Sequence, residues 1–203
     1  MKQNTSLPSS LKGKNYAIIA QGDHARIYPG NLVQAATLEE MKALQTPGKV
    51  VTFITSSSTM REAGREAIGD EPILALVSDT KKVQYMTREK LGRLLRQHGD
   101  DNFGIGEATP SMTDEVYPEK VRQIQEHVKN GDICQTVLAR HFTSPIEWLN
   151  PEKTPLALLG RLLQIRWTYM TALFQTEGTS YLYASPERHK TKKNGRATIN
   201  PIA

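Results

Sequence analysis

The apolar residues of this chain come in short runs of strand length. Tyr16-Ala-Ile-Ile-Ala20, Lys49-Val-Val-Thr-Phe-Ile54, Pro72-Ile-Leu-Ala-Leu-Val77 and Tyr181-Leu-Tyr-Ala184 are the clearest. Each is too short for a buried helix, and several carry the β-branched and aromatic residues that suit a pleated surface. Helix starts lie between them. Thr37-Leu-Glu-Glu40 is a capping box, with Thr37 at the N-cap and Glu40 three residues on, and it opens a helix towards Leu44. A further helix is predicted from Met60 to Ile68, weakened by Gly64. Residues Lys82 to Met86 are expected to pair with the 72–77 run as a hairpin. Thr87 then caps a helix with Leu91, Leu94 and Leu95 on one face.

Residues 98–112 form a loop rich in Gly, Asp and Pro, read as a connection within one domain. After it, Tyr117, Val121, Ile124 and Val128 recur at helical spacing. Pro118 is tolerable in a first turn, and Asn130-Gly131 stops the helix. Ile133 to Phe142 reads as a strand, and Pro155 to Gln164 as a helix. Ala197 to Ile202 is expected to pair with the Tyr181–Ala184 strand, with Asn194-Gly195 as a hairpin turn signal between them.

Several function classes are excluded. No apolar stretch reaches the roughly 18 residues of a membrane-spanning helix. Residues 1–14 have no apolar run behind their lysines, so they read as a flexible tail and not as a secretory signal. Cys134 stands alone, which rules out an internal disulfide and fits a reducing cytoplasm. The net charge of +5 raises nucleic-acid binding, but the basic residues are scattered without an aromatic ladder. Their densest group, Lys190, Lys192, Lys193 and Arg196, falls in a predicted turn and reads as solvated surface.

Two positions could carry chemistry. On the predicted 133–142 strand, Ile133, Gln135, Val137 and Ala139 share one face. A buried amide left unpaired there would cost about 1–3 kcal/mol, so Gln135 must bond either to neighbouring backbone or to a ligand. In Ala184-Ser-Pro-Glu-Arg-His189, Pro186 ends the strand and leaves Glu187 at a corner. That corner suits a catalytic carboxylate or a surface ion pair with Arg188. His189 has no ligand-spaced partner and reads as a turn or packing residue. No H-E-x-x-H spacing occurs, and the Gly104–Gly106 pair lacks the third glycine of a phosphate loop.

Taken in order, three segments resemble one family. Gly131-Asp-Ile-Cys-Gln-Thr-Val-Leu-Ala-Arg140, Tyr183-Ala-Ser-Pro-Glu-Arg188 and Asn200-Pro-Ile-Ala203 are similar to successive motifs of the chorismate-converting enzymes of the anthranilate synthase component I type. Met112-Thr-Asp-Glu before a helix also fits. Upstream, Arg61 to Ile68 followed by Pro72 to Leu76 is similar to phenazine-type members.

The resemblance implies an α+β fold, a mainly antiparallel sheet flanked by helices. The chain would be the incomplete N-terminal half of that fold, with a partial chorismate-binding domain over residues 15–203. In this family the carbon-4 hydroxyl of chorismate leaves while a nucleophile adds at carbon 2. By the resemblance, Glu187 is the general acid. That role needs a protonated carboxyl, which burial in a closed site favours. Gln135 takes the nucleophile side, where water-activating members carry a lysine base, so a neutral amide implies ammonia. Ala203 stands where aminodeoxychorismate synthases carry a nucleophilic lysine, and it joins Ile202 as a substrate-binding position. The expected product is 2-amino-2-deoxyisochorismate, supported by Ser-Pro-Glu-Arg-His, by Asn-Pro-Ile and by the absence of an L-L-E-S motif. The alternatives are anthranilate with release of pyruvate, or a non-catalytic remnant acting as an interaction module. The cofactor implied is magnesium, with ligands in a C-terminal half that this chain lacks and none in the chain itself. The implied partners are chorismate and a glutamine amidotransferase domain or subunit. A homodimer stays open, and no membrane or nucleic acid is implied. The chain by itself is expected to be inactive.

Overall fold

A computed structural model describes residues 11, 15–55, 72–165, 168–193 and 195–200. The helix predicted near Met60 to Ile68 lies outside them. The chain divides into two compact units, residues 1–101 with 151–203, and residues 102–150. All strand pairings among the described residues are antiparallel, and four α-helices accompany them.

The first unit is organised around β1 (Tyr16–Gln21), which pairs with β2 (His24–Pro29) on one side and β11 (Met170–Thr176) on the other. β6 (Gln84–Thr87) and β12 (Thr179–Ser185) complete a five-stranded sheet in the order β12-β11-β1-β2-β6. Alternation along β1 feeds two different cores. Tyr16, Ile18 and Ala20 face one way and pack with Ile27, Leu173, Leu91, Leu95, Leu156 and Leu159. That layer contains α2 (Arg88–His98) and α4 (Thr154–Leu162). Ala17 and Ile19 face the other way, onto a second sheet of β3 (Asn31–Ala35), β5 (Ile73–Asp79) and β4 (Lys49–Ile54), through Leu76, Leu74 and Leu32. The far side of that sheet carries Ala35, Ile73 and Ala75 and is covered by Met41, Leu38 and Leu44 of α1 (Leu38–Ala43) and its flanks.

The capping predictions hold at atomic level. Thr37 Oγ1 accepts from Glu40 N at 3.1 Å, and Glu40 Oε2 reaches back to accept from Ala36 N at 2.8 Å. Thr87 Oγ1 accepts from Lys90 N at 3.1 Å and starts α2. The two helices α2 and α4 meet at Gly99. A Cβ there would lie 2.7 Å from the Cα and N of Ala157, so backbone approaches backbone where no side chain fits. Leu11 is also buried in this core.

Two pairings differ from expectation. β6 pairs with β2 and not with the 72–77 run, because β5 already has β3 and β4 on its two edges. Asp79 turns the chain away: its side chain accepts from Lys81 N at 2.9 Å, and Thr80 N and Oγ1 both donate to Gly48 O, at 2.9 and 3.0 Å. The second correction concerns Ala197 to Ile202. The strand there, β14 (Arg196–Asn200), pairs with β13 (Arg188–Lys193), while the Tyr181–Ala184 run pairs with β11. The basic group Lys190, Lys192, Lys193 and Arg196 therefore lies on two strands and not in a turn.

The second unit holds α3 (Val116–Lys129), with Pro118 in its first turn, and two short strand pairs. β7 (Phe103–Ile105) pairs with β10 (Ile146–Trp148), and β8 (Thr109–Pro110) with β9 (Phe142–Thr143). Regular structure thus enters the predicted 98–112 loop. No residue of α3 is fully buried; Tyr117, Val121 and Ile124 are half-buried and Val128 is exposed.

Tyr16 makes the first unit sensitive to alkali. It is 3% exposed, and burial, then the nearby Glu152 carboxylate, push its hydroxyl well above the usual tyrosine range. The unfolded chain therefore releases this proton near pH 10 while the folded chain keeps it. The folded state then binds more protons, so its stability falls as pH rises past about 10. Tyr16→Phe is expected to flatten the alkaline limb of a plot of urea midpoint against pH between 9 and about 11. An unchanged limb would exonerate Tyr16.

Candidate functional site

Strand β12 delivers Glu187 to its corner. Its residues Tyr181, Tyr183 and Ser185 alternate along one face, paired with Phe174, Ala172 and Met170 of β11. Gly178, at φ 85°, makes the turn from β11 that brings them back, a conformation side chains rarely adopt. At the far end Tyr169 N donates to Ser185 O at 2.8 Å, and Ser185 Oγ donates to Glu187 O at 3.1 Å. The backbone is thus fixed on both sides of Pro186, and the Glu187 side chain is half-buried. The same face of β12 borders an apolar pocket of about 310 Å³, whose lining includes Ala17, Ile19, Phe53, Met170, Ala172 and Tyr183. Tyr183 is 42% exposed, and its partial burial followed by the neighbouring Tyr181 raises its hydroxyl above the usual tyrosine range.

Gln135 belongs to the second unit, and there the predicted strand is corrected. Residues 133–141 form no strand, and pairing begins only at Phe142. Ile133 is half-buried, but Gln135 is exposed and Val137 is 85% exposed. The alternating pattern is present, yet the pairing offered by β8 is two residues long. Water can satisfy the amide, so the desolvation penalty that demanded a partner does not arise.

The segment is instead tied at its ends. On leaving α3, Gly131 takes φ 80°, Asp132 N donates to His127 O at 2.9 Å, and His127 Nδ1 lies 2.8 Å from Asp132 Oδ2. At the other end Arg140 pairs with Asp114 at 2.8 Å and lies over the Phe142 ring, 5.0 Å from its centroid. His141 N donates to Ser111 Oγ at 3.0 Å, and Ser111 N donates to His141 O at 2.7 Å. The sequence reading gave Arg140 no role. The signal was the cation and the ring two residues apart, which alternation puts on one side.

Glu187 and Gln135 therefore sit in different units, each with its own local scaffold. Ile202 and Ala203 lie outside the described residues. Among the described residues no three His, Cys, Asp or Glu side chains converge on a point, so they offer no cage for a divalent cation. No described helix is long and apolar enough to cross a membrane.

A family model described as chorismate binding enzyme matches residues 38–203. Two curated relatives are both named "Anthranilate synthase, phenazine specific". The one from Pseudomonas chlororaphis is 29% identical over 147 residues, covering 70% of this chain and 22% of the relative. The one from Pseudomonas fluorescens is 27% identical over the same length, with the same coverage. The chain thus spans about a fifth of the length of these relatives.

Proposed function

Because this chain belongs to the chorismate binding enzymes, we propose that it forms the Glu187-bearing part of an enzyme aminating chorismate at carbon 2. The observation that carries this reading is the family match over residues 38–203, together with relatives whose printed names are phenazine-specific. The product of choice is 2-amino-2-deoxyisochorismate. In this reading Glu187 gives its proton to the carbon-4 oxygen as the C–O bond breaks and water departs. Ammonia forms the new bond at carbon 2, the ring double bonds shift, and the surplus proton on nitrogen is lost. Gln135 orients the ammonia through its amide oxygen and removes no proton, because ammonia carries its own lone pair. Ile202 and Ala203 lie against the substrate. A glutamine amidotransferase domain or subunit supplies the ammonia.

The described residues bring no three metal-ligating side chains together, and no step here runs through magnesium. A second reading is anthranilate with release of pyruvate, favoured by the word "anthranilate" in both relatives' names.

The test grafts this chain in place of the matching segment of the Pseudomonas chlororaphis relative and supplies chorismate, magnesium and ammonium. Mass spectrometry is expected to find the aminated dihydroaromatic acid without pyruvate. Anthranilate with pyruvate in equal amount would move the assignment to the second reading. Isochorismate without any aminated product would overturn amination and the role of Gln135.

A further inference from the structure

The first unit has a second cavity, on strand ends remote in sequence from Glu187. It measures about 680 Å³, within the range of small-molecule sites. Pro29, Val77 and Val83 give it apolar surface, and Val83 is 8% exposed. Three lysines, Lys49, Lys81 and Lys82, share the lining with one carboxylate, Asp79. Their formal charges leave two positive charges over (three minus one).

The lysines are carried by a fixed frame. Asp79 caps the turn that bears Lys81 and Lys82, and Thr80 pins that turn to Gly48 by two hydrogen bonds. Lys49 opens β4, opposite Asp79 in the strand register, with Nζ 3.7 Å from Asp79 Oδ2. The Asp79 carboxyl is held below the usual carboxylate range, first by the Lys81 amide and then by the charges of Lys49, Lys82 and Lys81. Lys49 meets Asp79 directly, and Lys81 and Lys82 follow it on the turn that it caps, so all three lysines line the same cavity. Asp79 pairs with Lys49, and among the described residues that line the cavity no second carboxylate faces Lys81 and Lys82, while Pro29 and Val77 add apolar surface. The amides of Asn31 and Gln84 add neutral donors at the lining.

We propose that this cavity is a binding site for a small organic dianion, with a phosphate or paired-carboxylate head on an apolar body. Lysines bind such heads as point charges without demanding a planar fork, so both head groups suit them. The apolar part of the ligand covers Pro29 and Val77, next to the edge of Val83, and the head lies among the lysines. Nothing in the amination chemistry uses these residues, so the site stands independently of that reading.

The test titrates phenyl phosphate and, separately, phthalate into the full chain carrying labelled valine methyls, followed by NMR. Saturable shifts of the Val77 and Val83 methyls are expected with at least one probe, at a Kd of about 1 mM or below. Which probe binds distinguishes the phosphate source from the carboxylate source. The double substitution Lys81→Gln with Lys82→Gln is expected to weaken binding about tenfold, and added salt to weaken it further. Both lysines are exposed, so the remaining methyl spectrum should stay unchanged. Lys90→Gln, on α2 and outside the cavity lining, should bind like the parent chain. No methyl shift with either probe, or equal affinity in the double variant, would overturn the site. Inorganic phosphate shifting the same methyls as strongly as phenyl phosphate would overturn the apolar subsite.

Discussion

Glu187→Gln, made in the graft described above, is expected to lower chorismate turnover by about 10²–10⁴-fold, the usual contribution of a positioned general acid. Glutamine keeps the shape of the side chain and loses the transferable proton. The hydrogen bond that fixes this corner uses the backbone carbonyl of Glu187 and the Ser185 hydroxyl, so the substitution leaves it in place. Urea unfolding of the isolated chain should therefore not change. The loss should fall on kcat more than on KM, because the proton moves only as the C–O bond breaks. Turnover within a few-fold of the parent graft would remove Glu187 as the acid. An equal loss of folding stability would reassign it to structure.

Leu159→Ala should have the largest effect on stability. Leu159 is 0% exposed and belongs to the core cluster with Ile18, Leu91, Leu95 and Leu173. The loss combines the transfer energy of the removed methine and two methyl groups with the cavity left behind, about 2–5 kcal/mol in all. The surroundings cannot collapse freely, since Gly99 already holds α2 against α4 at backbone distance. Leu149→Ala is the matched control: that side chain is 82% exposed and should change stability by less than about 0.5 kcal/mol. Similar midpoints in urea for the two variants would mean that the helix layer does not pack as described.

What the sequence revealed and what it hid separate along a physical line. Signals confined to a few neighbouring residues were readable: the Thr37 and Thr87 caps, and the apolar runs of β1, β4 and β5. The overall α+β, mainly antiparallel character was readable too. Strand partners were not, because they depend on which edges the rest of the fold leaves open. Hence β6 was assigned to β5, whose edges are both occupied, and β14 to β12. β2, β3 and β11 were missed. β2 mixes His24, Arg26 and Pro29 into its run, so its buried Ala25, Ile27 and Tyr28 do not stand out. The 133–142 segment shows the converse error, since apolar and polar residues alternate in its sequence but the described residues offer it only the two-residue edge of β8. For the candidate site, the sequence located the Glu187 corner at the end of β12. It did not foresee the Arg140–Asp114 tie, whose partners are separated by α3.

The pairing of β1 with β11 sets a consequence for the time course of folding. Gln21 Nε2 donates to the Tyr169 hydroxyl across 148 residues of chain. The middle strand of the larger sheet must therefore wait for a neighbour that leaves the ribosome long after it. High contact order of this kind slows folding far more than it lowers stability. Loop closure grows only logarithmically with length, so doubling the intervening chain adds about 0.6 kcal/mol. The 102–150 unit occupies that loop, and its two ends meet where Asp100 N donates to Lys153 O and Arg161 pairs with Asp101 at 3.1 Å. Insertions within 102–150 should thus be tolerated by the double-sheet unit at small thermodynamic cost, while cuts between β1 and β11 elsewhere would separate the two strands it needs most.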